Sequence, residues 1–124
     1  MNSKQSILLV EPDQGLEDFL IQLFHKEYAI QTAADAVETL HYLYQGNLPD
    51  LLIIDLNLVG ISGQELINQI KTNGITKNIP VIALCGSNYH EEDMIVVSNQ
   101  IKFLAKKPFD PNDLIVQIRK AILS

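Results

Sequence analysis

With 124 residues, the chain has an ordinary length for one domain, and 47% hydrophobic but only 6% aromatic residues predict an aliphatic core. The net charge of −6, without any run of five Lys or Arg residues, argues against direct binding of nucleic acid or of an anionic membrane. The single cysteine, Cys85, excludes an internal disulfide, and no apolar stretch has the length of a signal peptide or a membrane span, so that we expect a cytoplasmic protein.

Short apolar runs alternate along the chain with segments whose apolar residues recur at helical spacing. In chain order, these are strand 7–10, helix 16–24, strand 28–33, helix 37–44, strand 51–54, helix 66–70, strand 81–85, a helix at about 91–97, strand 103–105 and helix 114–122. Side-chain caps predict where three of the helices begin, with Asp13 before the first, Ser62 before the third and Asp110 before the last.

Five strands in strict alternation with five helices predict an α/β fold with a parallel sheet that is covered on both faces. We expect a flavodoxin-like (βα)5 domain over residues 1–124, doubly wound as a three-layer α/β/α sandwich. Its predicted strand order is 2-1-3-4-5, because strands 1, 3 and 4 have the most continuously apolar sequences.

Ligands of such sheets bind beyond the carboxyl ends of the strands, where the sequence places Glu11, Asp13, Asp55, Cys85 and Lys107. Crowded carboxylates repel one another, and hard oxygen ligands on short turns favour Mg²⁺. An aspartate beside such an ion could attack a phosphoryl donor, and the lysine could then pair with the phosphoryl oxygens. Taken singly, the same residues have ordinary structural interpretations, such as a helix cap for Asp13 and a small buried hydrophobe for Cys85.

Five segments together resemble the receiver domain of response regulators, and they follow one another over almost the whole chain. They are residues 7–11, 49–55, 60–63, 79–84 and 107–109. The resemblance implies that Asp55 is the phosphoacceptor, that Lys107 is the invariant lysine of the family, and that the Lys107–Pro108 peptide bond is cis. It also implies that Glu11, Asp55 and the backbone carbonyl of Asn57 hold Mg²⁺.

The same resemblance implies the partners. A sensor histidine kinase or a phosphotransfer protein would donate the phosphoryl group, and the domain would turn over no external substrate. The face formed by the predicted fourth helix, fifth strand and fifth helix would carry the output, and a homodimer could form there. We expect no direct contact with nucleic acid or membrane.

Three positions depart from the family pattern. Pro12 stands where the family has a second acidic metal ligand, and we expect Asp13, one place later, to serve at most through a bridging water. Cys85 replaces the Ser or Thr whose hydroxyl binds the phosphoryl group, and the loss of that donor predicts switching that is weaker by about ten- to a hundredfold. Leu104 replaces the aromatic residue that precedes the lysine by three positions.

These departures leave an alternative open, namely a pseudoreceiver that acts as a phosphorylation-independent protein-interaction module. A flavin-binding electron carrier would share the strand order, but it needs a phosphate loop after the first strand. Residues 11–14, which include the carboxylates of Glu11 and Asp13, would repel a phosphate at that place.

Overall fold

A computed structural model of the chain describes residues 4–87 and 99–123. Its strands form one parallel sheet in the order β2-β1-β3-β4-β5, as predicted. They are β1 (Gln5–Val10), β2 (Tyr28–Ala33), β3 (Leu51–Asp55), β4 (Val81–Cys85) and β5 (Phe103–Lys106). The described helices are α1 (Gln14–Phe24), α2 (Ala36–Tyr44), α3 (Gly63–Thr72) and a C-terminal helix (Pro111–Leu123). The helix predicted at 91–97 lies outside the described residues.

Alternation along the central strands divides the core into two layers, one on each face of the sheet. Leu52 and Ile54 of β3 pack in the layer that contains α2 and α3, whereas Leu51 and Ile53 pack with α1 and the C-terminal helix. Every residue of β3 is buried, as a strand covered on both faces requires. The predicted α/β/α layering is therefore confirmed.

The predicted side-chain caps are present. Oδ1 of Asp13 accepts hydrogen bonds from the backbone N–H groups of Gly15 and Leu16 at 2.9 and 3.2 Å. Oγ of Ser62 accepts one from the N–H of Glu65 at 3.1 Å, and α3 begins at the next residue. These bonds satisfy N–H groups that the first turn of a helix cannot pair internally.

The register of the parallel strands brings their carboxyl ends to one edge of the sheet, which we call the rim. Val10 of β1 lies beside Ile54 of β3, Asp55 lies beside Leu84 of β4, and Cys85 lies beside Lys106 of β5. Residues that directly follow these positions are thus neighbours although they are far apart in sequence. No helix in the described ranges is long and apolar enough to cross a membrane.

Candidate functional site

Three charged side chains meet at the rim. Glu11 directly follows β1, Asp55 is the last residue of β3, and Lys107 directly follows β5. Both carboxylates are almost fully buried, with 1% of each residue exposed, whereas 30% of the Lys107 side chain is exposed. The backbone N–H of Lys107 donates a hydrogen bond to the carbonyl oxygen of Cys85 at 2.8 Å, which joins the ends of β5 and β4 beside these side chains.

Lys107 is the cation that the two carboxylates share. Its Nζ forms a hydrogen-bonded ion pair with Oδ2 of Asp55 and lies 3.5 Å from Oε1 of Glu11. Burial by itself would lower the pKa of Lys107, but the hydrogen bond to Asp55 and the charges of both carboxylates raise it above its ordinary value. The ammonium form is therefore the resting state of this side chain. The Lys107–Pro108 bond is cis, as the resemblance implies.

The buried carboxylate of Glu11 has fewer favourable partners than that of Asp55. Its Oε2 accepts a hydrogen bond from the backbone N–H of Asp13 at 3.1 Å, but no hydrogen-bond donor in the described part of the chain serves the buried Oε1. Burial, and then the hydrogen bond that its protonated form makes with Asp55, raise the pKa of Glu11 from 4.5 to about 7. Two carboxylates beside one ammonium thus leave a buried oxygen that no hydrogen bond satisfies, which is where a further cation is expected to bind.

The available oxygen ligands suit a hard divalent cation. Glu11 and Asp55 supply carboxylates, and the backbone N–H of Asn57 bonds to Oδ1 of Asp55 at 2.8 Å, which keeps the Asn57 backbone beside the rim. Within residues 4–87 and 99–123, no group of three His, Cys, Asp or Glu side chains is arranged to hold a metal. A magnesium site here would therefore use two carboxylates, a backbone carbonyl and several waters, a set that Mg²⁺ accepts.

Asp13 has a different position from the other acidic residues. It is exposed, and its Oδ1 is engaged in capping α1, so that the structure assigns it a structural role. Position 12 is a proline and carries no carboxylate, and the acidic side chain that follows it is directed to the N-terminus of α1.

Cys85 ends β4 and is completely buried, with 0% of the residue exposed. Burial raises the pKa of its thiol, and the charge of Asp55 adds to this effect, against the opposing charges of Lys106 and Lys107. The thiol is therefore protonated and a weak donor at the place where a hydroxyl is expected. Leu104 packs on the face of α2 and α3, and Phe103 on the opposite face, so that Phe103 does not replace the missing aromatic residue.

Gly63 lies in segment 60–63 of the family resemblance, directly after the predicted cap Ser62, and in the structure it also permits a close backbone contact. A Cβ atom at this residue would lie 2.5 Å from Cα of Leu56 and 2.6 Å from the carbonyl oxygen of Asp55. The start of α3 thus rests directly on the backbone that carries Asp55, with Gly63 N bonded to Leu56 O at 3.2 Å. The signal in the sequence is a glycine directly after the cap, since a residue without a Cβ atom permits the close approach of another backbone segment.

Known proteins resemble the chain over nearly all of its length. The family model of the response regulator receiver domain matches residues 7–119. Sporulation initiation phosphotransferase F of Bacillus subtilis (strain 168) is 32% identical over 123 residues, which cover 97% of this chain and 94% of that protein. Hybrid signal transduction histidine kinase D of Dictyostelium discoideum is 25% identical over 118 residues, which cover 95% of this chain but only 8% of the kinase. The crystal structure of a response regulator receiver protein from Pseudomonas putida has the same fold, with a TM-score of 0.87, 23% identity, and coverage of 97% and 99% of the two chains.

Proposed function

Because the chain belongs to the response regulator receiver domain family, we propose that it accepts a phosphoryl group on Asp55 in two-component signalling. The observation that carries this proposal is the pairing of a buried Asp55 carboxylate with the Lys107 ammonium, beside the unsatisfied oxygen of Glu11. A structural ion pair alone would not require the second buried carboxylate, whose burial is costly without a further cation.

In the proposed reaction, a carboxylate oxygen of Asp55 attacks the phosphorus of a phosphohistidine on the partner. The new O–P bond forms as the N–P bond breaks, and the electron pair of that bond returns to the imidazole nitrogen. Lys107, which already forms a hydrogen-bonded ion pair with Asp55, then pairs with the added phosphoryl oxygens.

Glu11, Asp55 and the Asn57 carbonyl would hold Mg²⁺ in this site. The ion would neutralise charge that develops on the phosphoryl oxygens during transfer. Its removal would leave Lys107 as the cation nearest to two carboxylates and a phosphoryl group, and transfer would then be slow.

The proposed donor is a sensor histidine kinase or a phosphotransfer protein. One similar protein bears the name of a hybrid histidine kinase and another that of a phosphotransferase, which supports this class of partner. The predicted homodimer face includes the predicted fourth helix, outside the described residues, and it stays a prediction.

A small-molecule donor tests the proposal without knowledge of the kinase. The protein is incubated with acetyl phosphate and Mg²⁺, and its intact mass is measured with and without EDTA. We expect a gain of one phosphoryl group that hydroxylamine removes, because an acyl phosphate reacts with hydroxylamine and a phosphoserine does not. Asp55→Asn is the matched control, since it keeps the shape of the side chain and removes the nucleophile.

Two results would contradict the proposal. The first is the absence of any mass gain at millimolar Mg²⁺, together with no response of the amide spectrum to beryllofluoride; this pair of results would favour the pseudoreceiver alternative. The second is an equal mass gain in the Asp55→Asn variant.

A further inference from the structure

A cluster of lysines lies at the opposite edge of the sheet from the rim, where β4 and β5 begin. Two cavities are located there. The larger has a volume of about 380 Å³ and is lined by Lys71, Lys77, Asn99, Gln100, Ile101 and Lys102. The smaller has a volume of about 220 Å³ and is lined by Lys102, Gln117, Lys120 and Ala121. Since Lys102 lines both, the cavities flank a single side chain.

The charge of this region is opposite to that of the whole protein. The chain has 15 acidic and 9 basic residues, and four of those nine line the two cavities. None of the described residues that line them is Asp or Glu; the other polar side chains are amides. Four cations without an acidic partner in the lining create a positive potential that favours an anion.

Two of the lining side chains are already held in place. Nζ of Lys71 donates hydrogen bonds to the carbonyl oxygens of Lys77 and Ile79, the first at 3.1 Å. An ammonium group has three N–H donors, so that one remains for a ligand. Nε2 of Gln100 donates to Oδ1 of Asn68 at 3.1 Å, which ties the edge of the larger cavity to α3.

The backbone of the region is also fixed. Lys102 N donates to Val81 O at 2.8 Å, at the start of β4, and Lys77 N donates to Asn73 O at 2.9 Å, after α3. The lysines therefore project from ordered positions, which lowers the entropic cost of binding a ligand.

Lys71 and Lys102 repel each other in this arrangement. Burial, and then the charge of Lys102, lower the pKa of Lys71. A bound anion would relieve this repulsion and compensate for the burial of the ammonium.

We infer that the lysine cluster binds a small ligand with a polyphosphate group, the chemical class that includes nucleoside diphosphates. The larger cavity is within the usual size range of small-molecule pockets, which begins at about 300 Å³. A polyphosphate that pairs with Lys102 would lie where the two cavities adjoin, since this side chain lines both. The cluster is separate from the rim, and the inference does not depend on phosphorylation of Asp55.

Inorganic pyrophosphate is a suitable probe. It is titrated into the ¹⁵N-labelled full chain in EDTA, at an ionic strength held constant with NaCl, and amide shifts are followed by NMR. We expect saturable shifts that cluster at Lys71, Lys77 and Lys102. Lys102→Gln should weaken binding by about tenfold or more, since a charge-assisted hydrogen bond is lost.

The matched control is Lys26→Gln, which removes the same charge from an exposed residue that lines neither cavity. It should change the affinity by less than about twofold, because exposed charges at a distance are screened. Lys77→Gln provides a second test at the cavity if Lys102→Gln alters the fold, and binding should persist in Asp55→Asn. Equal weakening by Lys26→Gln and Lys102→Gln, shifts without saturation, or loss of binding in Asp55→Asn would each overturn the inference.

Discussion

The electrostatics of the rim predict an unusual dependence of stability on pH in the metal-free protein. The pKa of Glu11 rises from 4.5 to about 7 on folding, chiefly through burial and then through its hydrogen bond with Asp55. Between these two values the folded state binds one proton that the unfolded state does not. The stability contributed by this proton is present below about pH 4.5 and is lost as the pH rises toward 7.

The magnitude follows from the size of the shift. One pKa unit corresponds to about 1.4 kcal/mol, so that the shift of Glu11 is worth at most about 3 to 4 kcal/mol. Relaxation of the buried site around an ionised Glu11 reduces this value, and we expect a loss of roughly 1 to 3 kcal/mol in the free energy of unfolding. Lys107, whose pKa is raised, stays protonated throughout this pH range and does not contribute to the slope.

Urea unfolding in EDTA at about pH 5 and about pH 8 measures the effect, and Glu11→Gln is the matched variant. Glutamine keeps the size of the side chain and cannot ionise, so that the variant should lack this part of the pH dependence. Parallel pH profiles for the wild type and Glu11→Gln would refute the assignment of the buried proton to Glu11.

Three further predictions concern the packing and chemistry of the rim. Gly63→Ala should lower the free energy of unfolding by about 1–3 kcal/mol, because the added Cβ atom would lie 2.5 Å from Cα of Leu56. Urea unfolding measures the effect, and Gly74→Ala is the control, since Gly74 has open space around it. Cys85→Ser should raise the affinity for beryllofluoride by about tenfold, since a hydroxyl is a better hydrogen-bond donor than a thiol. Cys85→Ala should not raise it. Equal affinities of the wild type and the two variants would contradict this prediction. Pro12→Asp should raise the affinity for Mg²⁺ by about tenfold, because it adds a third carboxylate, and calorimetry that shows no gain would exclude a metal beside residue 12.

The strands and their order were predictable because burial leaves a direct mark on the sequence. Residues 51–54 are continuously apolar, and the structure buries every one of them. The same reasoning could not tell which helical apolar residues face the core. Phe19 and Val37 recur at helical spacing, yet they are 46% and 68% exposed, whereas Ala36, the neighbour of Val37, is buried in the core.

The meeting of Asp55 with Lys107 was also predictable, since parallel strands bring their carboxyl ends to one edge. The raised pKa of Glu11 was not predictable from the sequence. Its raised pKa comes first from burial and then from its hydrogen bond with Asp55, and the charge of Lys107 offsets this only in part. These effects arise from side-chain positions rather than from sequence spacing. The close approach of Gly63 likewise depends on where α3 crosses the strand.

The replacement of an acidic residue by Pro12 has a consequence for the resting charge of the rim. With Asp13 directed to cap α1, Glu11 and Asp55 are the carboxylates that the described residues place beside Lys107, and with a pKa of about 7 Glu11 is partly protonated near neutral pH. An ionised Asp55 and an ammonium then balance each other whenever Glu11 is protonated. A cation that enters the rim must therefore displace a proton from Glu11 and compete with Lys107 for Asp55. A third carboxylate would have kept a net negative charge at the rim, so we expect Mg²⁺ to bind more weakly here and to bind better as the pH rises through 7.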